Sequence, residues 1–281
     1  MNTANNDFEE KVRKLKQMIF DHAGRDIAIA FSGGVDSGLL LKICCDAAKI
    51  RGTRVWGITV HTRLHPVTDV MTARRVCRET GAESLILEVD ELEEAGIMDN
   101  PPDRCYLCKK TVFSRIKAAA ENLNIPCVMD GTNEDDLHVY RPGIRALKEL
   151  GILSPLSLCG IGKEEVRILA AEYGISVADR PSAPCMATRF PYGTKLDEKE
   201  LRKVETGEDW FTRQGFYNIR LRVHGDILRI EVDDKDLHKV LSMREAVISR
   251  MKELGYRYVT LDLEGFRSGS MDIGLEENQN E

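Results

Sequence analysis

At 281 residues the chain is long enough for one large domain with an appendage, or for two domains, and in either case for a sizeable core. A formal net charge of −6 argues against a broad nucleic-acid-binding face. No apolar run approaches the roughly 20 residues of a membrane span, and the polar start MNTANNDFEEKVRKLK is unlike a signal peptide, so a cytoplasmic protein with no membrane partner is expected. The spacing of Phe8, Val12, Leu15, Met18 and Ile19 then predicts an amphipathic first helix ending near Gly24.

Residues 26–41, DIAIAFSGGVDSGLLL, organise the rest. Ile27, Ile29 and Phe31 alternate with alanines in a run expected at the centre of a parallel sheet. Gly33 and Gly34 allow a sharp turn and a close backbone approach to a ligand, and Ser37 is placed to cap the following helix. Such a loop aims N–H groups and the positive end of a helix dipole at an anion. The Walker pattern, with its lysine, is absent. A helix over 38–48 carries Cys44 and Cys45 in apolar surroundings, as small core residues.

Strand and helix go on alternating: a strand over 53–60 ending in His61-Thr62-Arg63, a helix over 67–80, a strand over 84–90, and a buried strand ending in Asp130-Gly131-Thr132-Asn133. A short strand closed by Ser154-Pro155-Leu156 and a helix over 162–173 complete a parallel sheet covered on both faces. At the carboxyl ends of such strands ligands bind, which puts His61 near a nucleotide, although a lone histidine is more often structural.

Two cysteine stretches stand out among eight cysteines that, in a cytosolic chain, suggest core residues, metal ligands or catalytic groups before disulfides. In NPPDRCYLCK, Cys105 and Cys108 occupy one side of a first helical turn, where a helix N-terminus lowers thiol pKa. The pair alone fits a redox site, half a zinc site or part of an iron–sulfur site. In PSAPCMATRFPYG, Cys185 lies in a Pro-rich stretch that no regular core element accommodates. Cys77, Cys127 and Cys159 read as core or incidental.

From about residue 194 a smaller α+β domain is expected: a helix over 196–214, a hairpin YNIRLRV-HGD-ILRIEV, a helix over 235–254 and a strand over 256–265. Ile219, Leu221 and Val223 face one way and Arg220 and Arg222 the other, a pattern that on its own reads as a solvated polar face. The boundaries follow as 1–193, 194–273 and a disordered polar tail over 274–281.

SGGVDS at this position resembles the PP-loop of ATP pyrophosphatases. NPPDRCYLCK, PCMATRFPYG and that loop, in this order, resemble the ATP-dependent sacrificial sulfur transferases of nickel-pincer (lactate racemase cofactor) biosynthesis. The resemblance implies a doubly wound, Rossmann-like α/β fold of the adenine nucleotide α-hydrolase type with a smaller C-terminal α+β domain. It implies Mg²⁺-ATP on Ser32, Gly33, Gly34, Val35, Asp36, Ser37 and Gly131, a carboxylate of a pyridinium mononucleotide as the group adenylated, and a thiocarboxylate as product, with Asp36 and Cys185 catalytic. Some members give up the sulfur of the cysteine matching Cys185, while those with partners matching Cys105 and Cys108 hold a [4Fe-4S] cluster, and this sequence has all three. Zinc is disfavoured because no fourth ligand falls at a recognisable spacing. RLRVHGD, RIEV and GFRSGS resemble segments that bind substrate phosphate or metal, which makes Arg220, Arg222 and Arg267 candidate phosphate ligands and Glu208 and Glu231 candidate carboxylates of that site. Sulfide or a sulfur-donor protein is the implied partner, and a homo-oligomer is expected. The rivals are a cluster-free sacrificial donor, a tRNA-thiolating enzyme, which would have to grip a polyanion, an amide-forming synthetase, which would need a glutaminase domain, and a nucleotide sensor that releases no pyrophosphate.

Overall fold

The computed structural model describes residues 3–139, 141–180, 185–267 and 269–271. The expected disordered tail, 274–281, lies outside them. The chain falls into two units, one built from residues up to 96 and from 103 to 180, the other from 97–102 and from 185 onward.

In the first unit the elements run α1 (Thr3–His22), β1 (Ile27–Ala30), α2 (Val35–Arg51), β2 (Val55–His61), α3 (Val67–Thr80), β3 (Glu83–Glu88), α4 (Glu91–Glu94), α5 (Arg104–Asn122), β4 (Cys127–Met129), α6 (Gly143–Leu150), α7 (Pro155–Leu158) and α8 (Lys163–Glu172). The four strands form one parallel sheet in the order β3-β2-β1-β4. Its middle strand shows why IAIA forms a strand here. Ile27 and Ile29 point into a core shared with Leu15 and Ile19 of α1, Leu39 to Leu41 of α2, Val76 of α3 and Val166 and Leu169 of α8. Ala28 points to the opposite core, with Phe113 and Ile116 of α5 and Leu147 of α6. A strand covered on both faces needs apolar residues at every position, so periodicity of two disappears.

In this unit the expectations from sequence hold with small shifts, apart from two. Ser154-Pro155-Leu156 does not close a strand: Leu153 makes a single parallel bridge to Met129, and Pro155, with no N–H to give to a ladder, starts the helical turn α7 instead. Ser37 does not cap α2. The helix begins at Val35, three residues earlier than expected, with extended Gly34 as its N-cap, so Ser37 lies in the first turn and turns its hydroxyl back to the Gly34 carbonyl.

In the second unit α9 (Glu198–Arg213) precedes β5 (Ile219–His224), β6 (Ile227–Val232), α10 (Leu237–Ser242), α11 (Arg244–Glu253) and β7 (Tyr258–Leu261). β5 and β6 form the expected antiparallel hairpin, and β7 joins β6 in parallel. The helix expected over 235–254 is divided at Met243 into α10 and α11. Segment 97–102 is stitched to residues 190–196: Leu196 N–H donates to the Met98 carbonyl (2.7 Å), Gly193 N–H to Asn100 O (3.0 Å), and the fully buried Asn100 amide to Phe190 O and Pro191 O. Among the described residues no helix is long and apolar enough to cross a membrane.

Candidate active site

The loop between β1 and α2 is shaped by two glycines with different duties. Gly33 has φ +75°, a left-handed conformation that favours glycine, and a Cβ there would lie 3.3 Å from both the Asp69 carbonyl oxygen and the Arg180 guanidinium. Gly34 is extended (φ −87°, ψ 171°) and serves as the N-cap without a side chain. The first N–H groups of α2, those of Val35, Asp36 and Ser37, therefore start at the carboxyl end of a central strand, where the helix dipole adds partial positive charge. Ser32 Oγ accepts from Gly34 N–H (3.4 Å) and lies 3.2 Å from Ser37 Oγ.

Three further groups hold this loop from a distance in sequence. Arg180 donates through Nη1 to the Gly33 carbonyl (2.9 Å) and through Nη2 to Asp69 (2.5 Å), so that carbonyl is held by a guanidinium. Asn133 Nδ2 donates to Asp36 Oδ1 (3.0 Å), and Lys163 Nζ donates to Asp36 Oδ2 (2.5 Å). Gly131 allows a close approach, but chiefly to protein: a Cβ there would lie 2.6 Å from Ser37 N and 2.9 Å from its Cα. The absence of a side chain lets the end of β4 press against the first turn of α2. Asp130 anchors the same segment, accepting from Thr132 and Ser154 hydroxyls.

Sequence reasoning missed Lys163, Arg180 and Asp69. A signal for Lys163 exists, since Gly160-Ile161-Gly162-Lys163 is a glycine-flanked turn with lysine at a helix entry. Arg180 and Asp69 carry no local signal. His61, considered near a nucleotide, pairs with Glu88 at the surface (2.7 Å).

The thiols divide by environment. Cys44, Cys45, Cys77, Cys127 and Cys159 are all pushed up by burial, Cys45 and Cys77 to about 11, which favours the neutral, inert thiol. Cys105 is exposed and Cys108 half-buried, one helical turn apart at the start of α5. Cys185, half-buried in the second unit, heads the 3₁₀ turn Met186–Arg189. Its carbonyl accepts from the Thr188 N–H (3.1 Å) and hydroxyl (2.8 Å) and from Arg189 Nη1 (3.2 Å). Within each unit these three residues thus suit ligation by thiolate better than the other five.

The hairpin's polar face is not solvated. Arg220 is 7% exposed, Arg222 4% and Glu231 0%. The cover comes from the turn after Cys185 and from Phe266 and Ser270: Arg222 donates to Thr188 O (2.7 Å) and Ser270 Oγ (3.1 Å), and the Arg220 guanidinium lies 5.0 Å from the Phe266 ring centroid. Glu231 accepts from Arg222 Nε (3.0 Å) on one oxygen and from Arg229 (2.9 Å) and Ser270 (2.9 Å) on the other. Glu208 takes a bidentate grip from Arg189 (2.9 and 2.8 Å) and also accepts from Leu221 N–H. Both candidate carboxylates are engaged by guanidinium groups, and among the described residues no group of three His, Cys, Asp or Glu could hold a metal ion. Burial, then the neighbouring Arg189, lowers Arg220 to about 10, so this is a concentration of cations out of water. Arg267 is not part of it; it is exposed and pairs with Glu264 (2.5 Å).

Breaking this network has a measurable cost. Arg222→Ala leaves one oxygen of a fully buried carboxylate without its cation, a loss of about 3–5 kcal/mol, against a total of about 5–15 kcal/mol for a typical domain. A large fall in the urea midpoint is expected for R222A. A smaller fall is expected for R222M/E231L, which removes both charges. Equal falls would show that the pair contributes no more than packing.

A PP-loop domain family matches residues 7–100, the stretch that contains β1, the glycine loop and α2. The pyridinium-3,5-bisthiocarboxylic acid mononucleotide synthase of Lactiplantibacillus plantarum is 35% identical over 253 residues, covering 90% of this chain and 91% of that protein. The chain belongs to the family of that synthase. An uncharacterized protein of Synechocystis sp. is 33% identical over 94% of this chain and 97% of its own length. A tRNA-specific 2-thiouridylase of Ruegeria pomeroyi is more distant, 25% identical over 65% of this chain and 58% of that enzyme. As a member of the synthase family with a PP-loop domain, the protein is an ATP-dependent enzyme of nickel-pincer cofactor biosynthesis, and its fold is the PP-loop α/β sheet followed by a smaller mixed-sheet region.

Proposed function

We propose that this enzyme adenylates a carboxylate of a pyridinium mononucleotide and replaces the AMP by sulfur, forming a thiocarboxylate. The observation that carries the reading is the glycine loop itself, whose carbonyl is held aside by Arg180 while the α2 amides face the carboxyl end of the sheet. The name of the Lactiplantibacillus plantarum relative supplies the substrate class.

The steps assign roles to the chain's own groups. The pyrophosphate of ATP rests on the amides of residues 33–37, with Asp36 placed to position Mg²⁺. A substrate carboxylate oxygen attacks the α-phosphorus, the bond to the β-phosphate oxygen breaks, and the loop takes up charge on the departing pyrophosphate. Arg220 and Arg222 suit the mononucleotide phosphate, which guanidinium groups can grip bidentately once desolvated. Sulfur then adds to the acyl carbon, and AMP leaves with the former carboxylate oxygen. Cys185 serves either as a ligand, with Cys105 and Cys108, of a [4Fe-4S] cluster or as the sulfur donor itself. Such a cluster, held by Cys105, Cys108 and Cys185, would let exogenous sulfide supply the sulfur and would spare the polypeptide. The cluster reading rests on the three accessible cysteines. In this reading sulfide or a sulfur-donor protein is the co-reactant, and a cytoplasmic homo-oligomer is the working form.

The test is anaerobic incubation with Mg²⁺-ATP, the pyridinium dicarboxylate mononucleotide and sulfide. Stoichiometric AMP, pyrophosphate and thiocarboxylate are expected. Pyrophosphate release that requires tRNA, with none from the mononucleotide, would overturn the proposal in favour of RNA thiolation.

A further inference from the structure

We propose that Arg180, anchored by Asp69, is a positioning residue of the adenylation step: by holding the Gly33 carbonyl it keeps the Gly33–Gly34 peptide from turning over, and so keeps the Gly34 N–H directed at the phosphates of ATP. The inference rests on the reading that residues 32–37 bind ATP. A planar trans peptide points its carbonyl and its N–H in opposite directions. In the unit that joins Gly33 to Gly34, the carbonyl accepts from Arg180 Nη1 (2.9 Å), and the N–H is directed to Ser32 Oγ, which itself lies 3.2 Å from Ser37 Oγ in the first turn of α2. The N–H therefore faces the start of that helix. Its bond to Ser32 is long (3.4 Å), a weak hold against which a phosphate oxygen would compete well.

The hold on the carbonyl is the firm one, and it is needed because both residues of the unit are glycines. Turning the peptide over changes ψ of Gly33 and takes φ of Gly34 from −87° to roughly +90°, and glycine populates either side of zero about equally. The turned-over peptide would present a carbonyl oxygen, with its partial negative charge, to a polyanion. Arg180 is itself well fixed. Its own N–H donates to the Val177 carbonyl (3.1 Å), and Val177 is buried against α2, where a Cβ on Gly38 would lie 3.2 Å from Val177 Cγ2. Its Nη2 donates to Asp69 (2.5 Å), a buried carboxylate in the first turn of α3. The planar fork meets carboxylate and carbonyl at once, a geometry that an ammonium group does not reproduce.

A merely structural clamp between the loop and α3 predicts that a further change in the loop only adds to the damage, whereas a restraint on one peptide predicts that a second restraint on the same peptide compensates. Gly34→Ala supplies that second restraint, because alanine suits the extended backbone at position 34 and opposes a positive φ there. In R180A the dissociation constant for Mg²⁺-ATP should rise roughly tenfold or more, the loss of about one hydrogen bond to a charged group, and pyrophosphate release should slow with it. AMP affinity should stay within about twofold, since AMP has no β- or γ-phosphate for that amide to meet. R180K, which keeps the charge without the fork, should resemble R180A. Adding G34A to R180A should recover Mg²⁺-ATP affinity by about threefold, the size of a favourable glycine-to-alanine restraint, although G34A in the wild type weakens binding slightly. Unchanged ATP affinity in R180A, wild-type affinity in R180K, equal weakening of AMP and ATP, or no recovery on adding G34A would each overturn the proposal. Should R180A not fold, R180K with and without G34A carries the test. Failure of the wild type to bind Mg²⁺-ATP is a separate result: it overturns the loop reading, and the role of Arg180 with it.

Discussion

Cys185→Ala is expected to release pyrophosphate at the wild-type rate with substrate and Mg²⁺-ATP, and to form no thiocarboxylate. In the proposed reaction the two halves use different parts of the chain. The glycine loop, proposed to take up pyrophosphate, lies in the first unit and contains no thiol. Cys185 belongs to the second unit, where its backbone carbonyl is anchored by Thr188 and Arg189. Removing Sγ thus leaves those bonds in place, and the change is expected in sulfur transfer alone. Loss of pyrophosphate release in C185A would show that the thiol acts before or during adenylation.

Cys105→Ala distinguishes the two sulfur routes. If Cys185 gives its own sulfur, its Cβ–Sγ bond breaks, dehydroalanine remains, and C105A still completes one turnover. If the three thiolates ligate one cluster, C105A and C108A lose iron and turnover together, because two thiolates hold a cubane poorly. The readout is mass spectrometry of the wild type after anaerobic turnover with sulfide. An intact polypeptide with product in excess of enzyme is expected. Loss of the mass of H₂S at Cys185, in proportion to product, would overturn the cluster route.

What the sequence made legible is mostly local. The β1-loop-α2 unit could be read because its signals, an apolar run, two glycines and an acidic first turn, lie within 16 consecutive residues. The C-x-x-C pair could be placed on a first helical turn for the same reason. By contrast the Lys163–Asp36 contact joins residues 127 apart in sequence, and Arg180–Asp69 joins residues 111 apart. No periodicity encodes such pairs. The hairpin shows a different limit. Alternation correctly gave which side chains share a face, but whether that face meets water depends on what covers it. Thr188, Phe266 and Ser270 do so here, and turn a row expected to be solvated into a buried ionic network. Ser37 shows how three residues of boundary error change a role: from a cap into a first-turn residue bonded back to the cap's carbonyl.

The glycine loop gives the other large expected effect, and the backbone assigns it to Gly33 before Gly34. At Gly33 any L side chain would adopt φ +75°, which for a β-branched residue is a true outlier and costs on the order of 1–3 kcal/mol. Its Cβ would also stand 3.3 Å from a backbone carbonyl, that of Asp69, and from the guanidinium that holds Gly33 O. The γ-carbons of valine would crowd these further, so the loop must either change its dihedrals or lose Arg180. Either change redirects the amides of residues 33–37, and with them the anion site. Gly34 is more tolerant, because its extended backbone suits any residue and a Cβ would meet only the rotatable hydroxyl of Ser32, at 3.3 Å. G33V is therefore expected to lose Mg²⁺-ATP binding by roughly 100-fold or more, about 3 kcal/mol, with an unchanged far-UV spectrum. G34A should lose much less. Titration of both with Mg²⁺-ATP, beside pyrophosphate release, decides the matter: wild-type affinity in a folded G33V would show that the left-handed turn is not what aims the amides.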